Sequence, residues 1–403
     1  MLIWPETDLE NLQKKYRQES RDLMVCAVGL RHCYIAKSRI RLFGVETGVR
    51  RLETKRVRIT DPEHIREEDL EEAAAVLRNG GLVAFPTETV YGLGANALDE
   101  RAAKKIYEAK GRPSDNPLIA HISGPEELAP LVEEIPEAAE KLMERFWPGP
   151  LTMIFRKKEI VPYGTTGGLD TVAVRMPSDP IARKLISMAK VPVAAPSANL
   201  SGRPSPTTAE HVWQDMAGRI DIIVDGGPVG IGLESTIVDV TGEIPTVLRP
   251  GAVTMEMLEE TLGRVEIDPA ILGPMKEGTK PKAPGMKYRH YAPKAEMTLV
   301  EGEMEQVVRS INRLAKKSLA DGKKVGIICT DETRSCYPAG MVRSIGIRAK
   351  EETVAHNLYA VLREFDDLGA DVIYSESFPG DQIGQAIMNR LTKAAGYHII
   401  HVM

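Results

Sequence analysis

Leu82-Val83-Ala84-Phe85-Pro86-Thr87-Glu88-Thr89-Val90-Tyr91-Gly92-Leu93 converts a short apolar run into a hydroxyl-rich loop at one proline. The run Leu82 to Phe85 has the length and continuity of a buried strand. Before it, Leu70, Ala73, Ala74 and Leu77 share one helical face, and Gly80-Gly81 supplies the stop. Beyond it, Asp99 is placed to N-cap a helix ending near Lys110-Gly111. Further strand candidates are Leu118 to Ile122, Leu151 to Phe155, Thr171 to Met176, Val191 to Ala195, Ile222 to Val224 and Thr236 to Val240, interleaved with helices such as Thr208 to Met216. The alternation predicts an α/β or α+β unit.

With 403 residues and 43% hydrophobic content the chain exceeds one ordinary core, so two domains are expected. A net charge of −5 advertises neither a nucleic-acid coat nor a membrane surface, so any RNA contact must be local. Cys26, Cys33, Cys329 and Cys336 form no CxxC, which argues against a zinc ribbon or disulfide framework and points to a reducing, cytoplasmic setting. Residues 1–57 carry 12 Lys and Arg against 7 Asp and Glu. They read as a poorly ordered extension, with a basic RNA-touching arm as the minority alternative.

Residues 269–294 are rich in Pro, Gly and Lys and read as a linker. Met286, Tyr288, His290 and Tyr291 are more apolar and aromatic than a spacer requires, so the linker is expected to close over a site. From 295 to 403 the pattern restarts: strand Thr298 to Val300, helix Met304 to Leu319 and strand Lys324 to Thr330. Next come a helix bearing Val354, Leu358, Leu362 and Phe365, strand Asp371 to Tyr374 and helix Gln382 to Ala395. This predicts a small Rossmann-like unit.

Two short motifs carry the chemistry. Lys110-Gly111-Arg112 offers a point charge and a planar fork, and Ser197-Ala198-Asn199 offers directional hydrogen-bonding groups; together they suit phosphate. Both cations are expected on an exposed helix end and loop, so their removal should hardly affect folding. Gly92-Leu93-Gly94-Ala95-Asn96-Ala97 fits the dinucleotide pattern G-x-G-x-x-A, but Pro86 to Thr89 separate it from its strand and the helix waits until Asp99. Its glycines are expected to shape a loop against the cleft. No P-loop, Ser-His-Asp set or metal-binding His cluster is visible.

These motifs, with Asn116-Pro117-Leu118, His121 and the Pro284 to Pro293 stretch Pro-Gly-Met-Lys-Tyr-Arg-His-Tyr-Ala-Pro, resemble the YrdC family in the expected order. Within it they resemble the long two-domain threonylcarbamoyl-AMP synthases, from about Arg58 onward. The resemblance implies a twisted open sheet with a concave cleft over 58–268, followed by the linker and the Rossmann-like domain. It also implies formation of threonylcarbamoyl-AMP and pyrophosphate from L-threonine, bicarbonate and ATP, with Mg2+ on the phosphates. A tRNA threonylcarbamoyl transferase complex would act downstream, with a weak tRNA contact and no membrane association.

Carried over by position, Thr89, His121, Arg175 and Ala195 would contact threonine, and Lys110, Arg112, Asn116, Thr171, Ser197, Asn199, Ser235, Arg249, Tyr288 and Tyr291 would contact ATP. Lys110, Arg112, Ser197 and Asn199 would carry catalysis. Pro206 falls near another family contact, with uneven spacing. Each residue has a plainer reading: Lys110 as a solvated helix-end lysine, Arg175 on a solvent face of its strand, Arg249 in a turn, His121 in a core and the tyrosines as staples. Three other functions share part of the pattern. A carbamoyl-AMP-forming maturation enzyme should add CxxC zinc fingers, a non-catalytic RNA-binding module should bind RNA with a steep salt dependence, and an NAD-dependent oxidoreductase needs the fingerprint just rejected.

Overall fold

The structure, a computed structural model, describes residues 52–271, 273, 281–286, 291–380 and 382–402. Its first sheet contains β1 (Lys55–Arg58), β2 (Val83–Phe85), β3 (Gly92–Asn96), β4 (Ile119–His121), β5 (Leu151–Arg156) and β6 (Thr171–Arg175). It continues with β7 (Val193–Ala194), β8 (Ile222–Asp225), β9 (Thr236–Asp239), β10 (Thr246–Arg249) and β11 (Glu266–Ile267). The spatial order is β1-β8-β2-β3-β7-β4-β6-β5-β9-β10-β11, with parallel and antiparallel pairs mixed. The helices of this part are α1 (Glu67–Arg78), α2 (Glu100–Lys110), α3 (Glu137–Phe146), α4 (Tyr163–Thr166), α5 (Pro180–Ala189), α6 (Ala209–Met216) and α7 (Met255–Leu262).

Side-chain alternation explains why β2 and β8 read as continuous apolar runs. Val83 and Phe85 join Ile222 and Val224 in a core with Leu70 and Leu77 of α1 and Leu185 of α5. Ala84 and Ile223 face the opposite core, with Ile106 of α2 and Val212 of α6. Both faces are covered, so neither can be polar.

Three strands depart from the sequence reading. Gly92 to Asn96 is β3, antiparallel to β2, rather than a loop. A Cβ on Gly94 would lie 2.7 Å from both the Phe85 ring and a Val193 methyl, so the glycine permits close strand packing and not phosphate approach. β1 pairs with β8 from Lys55 onward, inside the stretch expected to be an extension; residues 1–51, including Cys26 and Cys33, lie outside the described residues. β10 carries Arg249 at its end, where a turn residue was the plainer alternative.

The second sheet contains β12 (Glu296–Gly302), β13 (Val325–Cys329), β14 (Met341–Ser344), β15 (Val372–Glu376) and β16 (Ile399–Val402), all parallel in the order β14-β13-β15-β12-β16. Helix α8 (Met304–Ala320) packs on one face, while α9 (Glu351–Leu368) and α10 (Gln382–Ala394) pack on the other. That second core also takes in Val90, Leu233 and Tyr291, so the two lobes share buried surface. The expected Rossmann-like pattern is present. Cys329 is buried and Cys336 exposed, both as free thiols. Among the described residues no helix is long and apolar enough to cross a membrane.

Candidate active site

The site begins at the C-terminus of α2. Asp99 caps the helix start by accepting from the Arg101 amide at 2.9 Å. Gly111 ends it in the left-handed region at φ 61°, while the Gly111 amide donates to Glu108 and the Arg112 amide to Tyr107. This turn sends both cations inward. Lys110 is 2% exposed and Arg112 9%, which corrects the expectation of a solvated helix end. Lys110 Nζ donates to the carbonyls of Ser197 and Asn199 and lies 3.4 Å from Asn199 Oδ1. Burial, with Arg112 nearby, pulls the Lys110 amine well below its ordinary value. Arg112 is lowered to about 10, again by burial first, and remains protonated at neutral pH. Its Nη2 donates to the carbonyls of Asn116 and Pro117, whereas Nε has no hydrogen-bond partner among the described residues.

Lys110 thereby fixes the turn after β7. Ser197 bridges to Gly92 and its hydroxyl donates to Asn199 Oδ1. The Asn199 amide nitrogen donates to the carbonyls of Leu200 and Arg203. Asn199 is therefore committed to holding the turn, while Ser197 faces the cavity with Pro196 and Ala195.

Sheet register brings the next group together. His121 on β4 and Thr152 on β5 both sit opposite Arg175 on β6, and the Ala195 amide donates to the Ile119 carbonyl. Arg175 is buried, not on a solvent face; it donates to Thr89 Oγ1 at 3.0 Å and forms an ion pair with Glu88 at 2.7 Å. Burial would raise the Glu88 carboxyl, but Arg175 outweighs it and holds Glu88 below its ordinary value. His121 Nδ1 is 3.0 Å from the Ile119 carbonyl, and its ring meets Phe85 edge-on. Burial, then Arg175, lowers His121 to about 3, so it stands as a neutral hydrogen-bonding wall.

The opposite wall comes from β9, β10 and the linker. Arg249 donates from Nε to the Ser235 carbonyl at 3.0 Å and from Nη2 to Ser235 Oγ at 3.1 Å. Pro284, Gly285 and Tyr291 line the same cavity, which measures about 50 Å³, and Ala283 and Met286 pack with Ile119, Ala173 and Leu248. Among the expected contacts, Thr89, Arg112, His121, Arg175, Ala195, Ser197, Ser235, Arg249 and Tyr291 converge on this cavity. Asn116 stays just behind Arg112, and its Oδ1 has no hydrogen-bond partner among the described residues. Thr171 lies at the far end of β6 from Arg175, outside the cavity lining. Tyr288 lies outside the described residues, as do Lys287, Arg289 and His290. Pro206 is buried, and its carbonyl accepts from the Tyr91 amide.

Glu234 was missed in the sequence. It lines the cavity, accepts from Ser205 and Tyr359, and pairs with Arg390 of α10 at 3.1 Å. Burial alone would raise this carboxyl, but Arg390 and Arg249 keep it low. The available signal was an acid two residues before the start of the apolar strand β9, where a solvated residue is out of place.

Two family models match the chain: one described as "Telomere recombination" over residues 75–251, the other as "Threonylcarbamoyl-AMP synthase, C-terminal domain" over residues 253–396. A threonylcarbamoyl-AMP synthase of Pyrococcus abyssi is 53% identical over 340 residues, spanning 84% of this chain and 98% of the relative. The chain belongs to the threonylcarbamoyl-AMP synthase family. A synthase of Bacillus subtilis is 50% identical over 352 residues, covering 87% of this chain and all of its own. The solved P. abyssi Sua5 complexed with L-threonine superposes with a TM-score of 0.81 at 51% identity, over 87% of this chain and 99% of that one. The family thus accounts for both lobes.

Proposed function

We propose that the cavity joins L-threonine to ATP through bicarbonate, making this chain an L-threonylcarbamoyladenylate synthase. The supporting observation is the convergence of two chemically different walls on one buried space: Thr89, His121 and Arg175 on one side, Arg112, Ser197, Ser235 and Arg249 on the other. Arg175 receives the threonine carboxylate through its planar fork, taking over charge now balanced by Glu88. Ala195 and the neutral His121 shape the wall beside it. The threonine amine adds to the bicarbonate carbon and water leaves, giving a carbamate. A carbamate oxygen then attacks the α-phosphorus, and the bond to pyrophosphate breaks.

Because the attacking oxygen is already anionic, the chain's task is positioning and charge neutralisation. Arg112 and Arg249 face the phosphates, Ser197 and Ser235 supply hydroxyls, and Lys110 and Asn199 hold the Ser197 turn. Asn116 and Thr171 serve the outer parts of the nucleotide. Pro284, Gly285 and Tyr291 keep bulk water from the mixed anhydride. Mg2+ bound with ATP would supply further charge neutralisation at the phosphates. Glu234, the carboxylate lining the cavity, is engaged by Arg390, Tyr359 and Ser205, so the ATP phosphates themselves would supply most of the ligands to such an ion. A separate transferase then moves the product to tRNA in the cytoplasm.

The test is pyrophosphate release with identification of the product by mass. Release should require threonine, bicarbonate and ATP together, and the product should have the mass of threonylcarbamoyl-AMP. Equal release without threonine would overturn the assignment.

A further inference from the structure

Helix α10 belongs to the second lobe, yet two of its cations reach three separate segments of the cavity wall. Arg390 is fully buried; its Nε donates to Glu234 Oε2 at 3.1 Å and its Nη1 to the Pro250 carbonyl at 2.8 Å. Its guanidinium also lies 5.8 Å from the centre of the Tyr291 ring. One turn further along the helix, Lys393 Nζ donates to the Gly285 carbonyl at 2.8 Å. Glu234, Gly285 and Tyr291 line the cavity, and Pro250 follows the cavity residue Arg249; Arg390 and Lys393 do not line it themselves.

We propose that Arg390 and Lys393 are positioning residues for the nucleotide: they fix Glu234-Ser235, Arg249-Pro250 and Pro284-Gly285 relative to one another and leave the threonine wall untouched. The proposal rests on the assignment of ATP to the Ser235, Arg249 and Tyr291 side. Thr89, His121 and Arg175 are held by their own sheet register and by Glu88, with no hydrogen bond or ion pair from α10 described among them. Through these two cations α10 thus acts on one of two substrates. Tyr359 of α9 reinforces the arrangement, donating to Glu234 at 2.8 Å and stacking on Tyr291 at 5.3 Å.

Lys393 is the cleaner position to test. Its described hydrogen bond goes to the neutral Gly285 carbonyl rather than to a carboxylate, and burial, then Arg390 and Arg249, lowers it to about 7, so a neutral side chain of similar length breaks no described ion pair. Calorimetric titration of the full-length protein with ATP and with threonine, each alone, provides the readout, beside the melting temperature. Lys393→Met should weaken ATP binding about fivefold or more and change threonine binding by less than about twofold, with Lys393→Arg partly restoring ATP affinity. Arg390→Lys should shift the same ratio in the same direction. Unchanged or tighter ATP binding in Lys393→Met would overturn the proposal, and so would equal losses for both ligands. If the wild-type protein binds both ligands but forms no threonylcarbamoyl-AMP, the synthase assignment fails separately.

Discussion

At the scale of single residues, Lys110 and Arg112 must be separated although they stand two positions apart. Lys110 satisfies the carbonyls of Ser197 and Asn199 inside the protein, so alanine there leaves buried acceptors unpaired. Lys110→Ala should cost about 2–3 kcal/mol of stability as well as turnover. Arg112→Ala should slow pyrophosphate release on the order of a hundredfold, as for other donors aimed at developing charge, with a smaller loss of stability. Urea midpoints measured beside turnover check both, and a Lys110→Ala protein as stable as wild type would contradict the first. The position of these cations at the end of a helix was legible from residue type and spacing. Their burial was not, because it depends on where Gly111 turns the chain and on carbonyls almost ninety residues away. Glu88 and Glu234 stayed hidden for a related reason: a carboxylate reads as a solvated charge until its partner, Arg175 or Arg390, is known.

At the scale of elements, two glycines make opposite demands. Gly94 in β3 has extended backbone but no room, whereas Gly111 after α2 has φ 61° and, among the described residues, no atom within 4 Å of where a Cβ would stand. Gly94→Ala should therefore cost about 1–3 kcal/mol through overpacking against Phe85 and Val193. Gly111→Ala should cost about 1 kcal/mol, the left-handed penalty alone. Denaturant midpoints of the two variants give the comparison, and a larger loss at Gly111 would refute the packing argument. The same contrast explains what could be read in advance. β2 and β8 are unbroken apolar runs covered on both faces, so they were legible; β3 hides its strand character behind two glycines. Charged residues, Lys55 and Arg58, mark β1 as an edge strand rather than the end of a basic extension.

At the scale of the whole molecule, two buried arginines of the second lobe meet carboxylates of the first. Arg363 on α9 pairs with Asp215 of α6 at 2.8 Å and donates to the Pro204 carbonyl, as Arg390 pairs with Glu234. Arg363→Met should destabilise the protein by about 3 kcal/mol because it removes one cation from a buried carboxylate. Adding Asp215→Asn should recover part of that loss, and a double-mutant cycle with no coupling would contradict the pairing. Length and periodicity disclosed two units, but not contacts joining positions 148 and 156 residues apart. Those contacts also constrain how such a gene can be shortened. Deleting everything after the linker would take Arg390 and Tyr359 away from Glu234 and leave it with Arg249 and Ser205, facing a cavity that, in the proposed reading, receives a carboxylate and phosphates. A one-lobed descendant would therefore carry an acid with half its cationic support beside its anionic substrates, and replacing that acid should restore part of the ATP affinity lost with the second lobe.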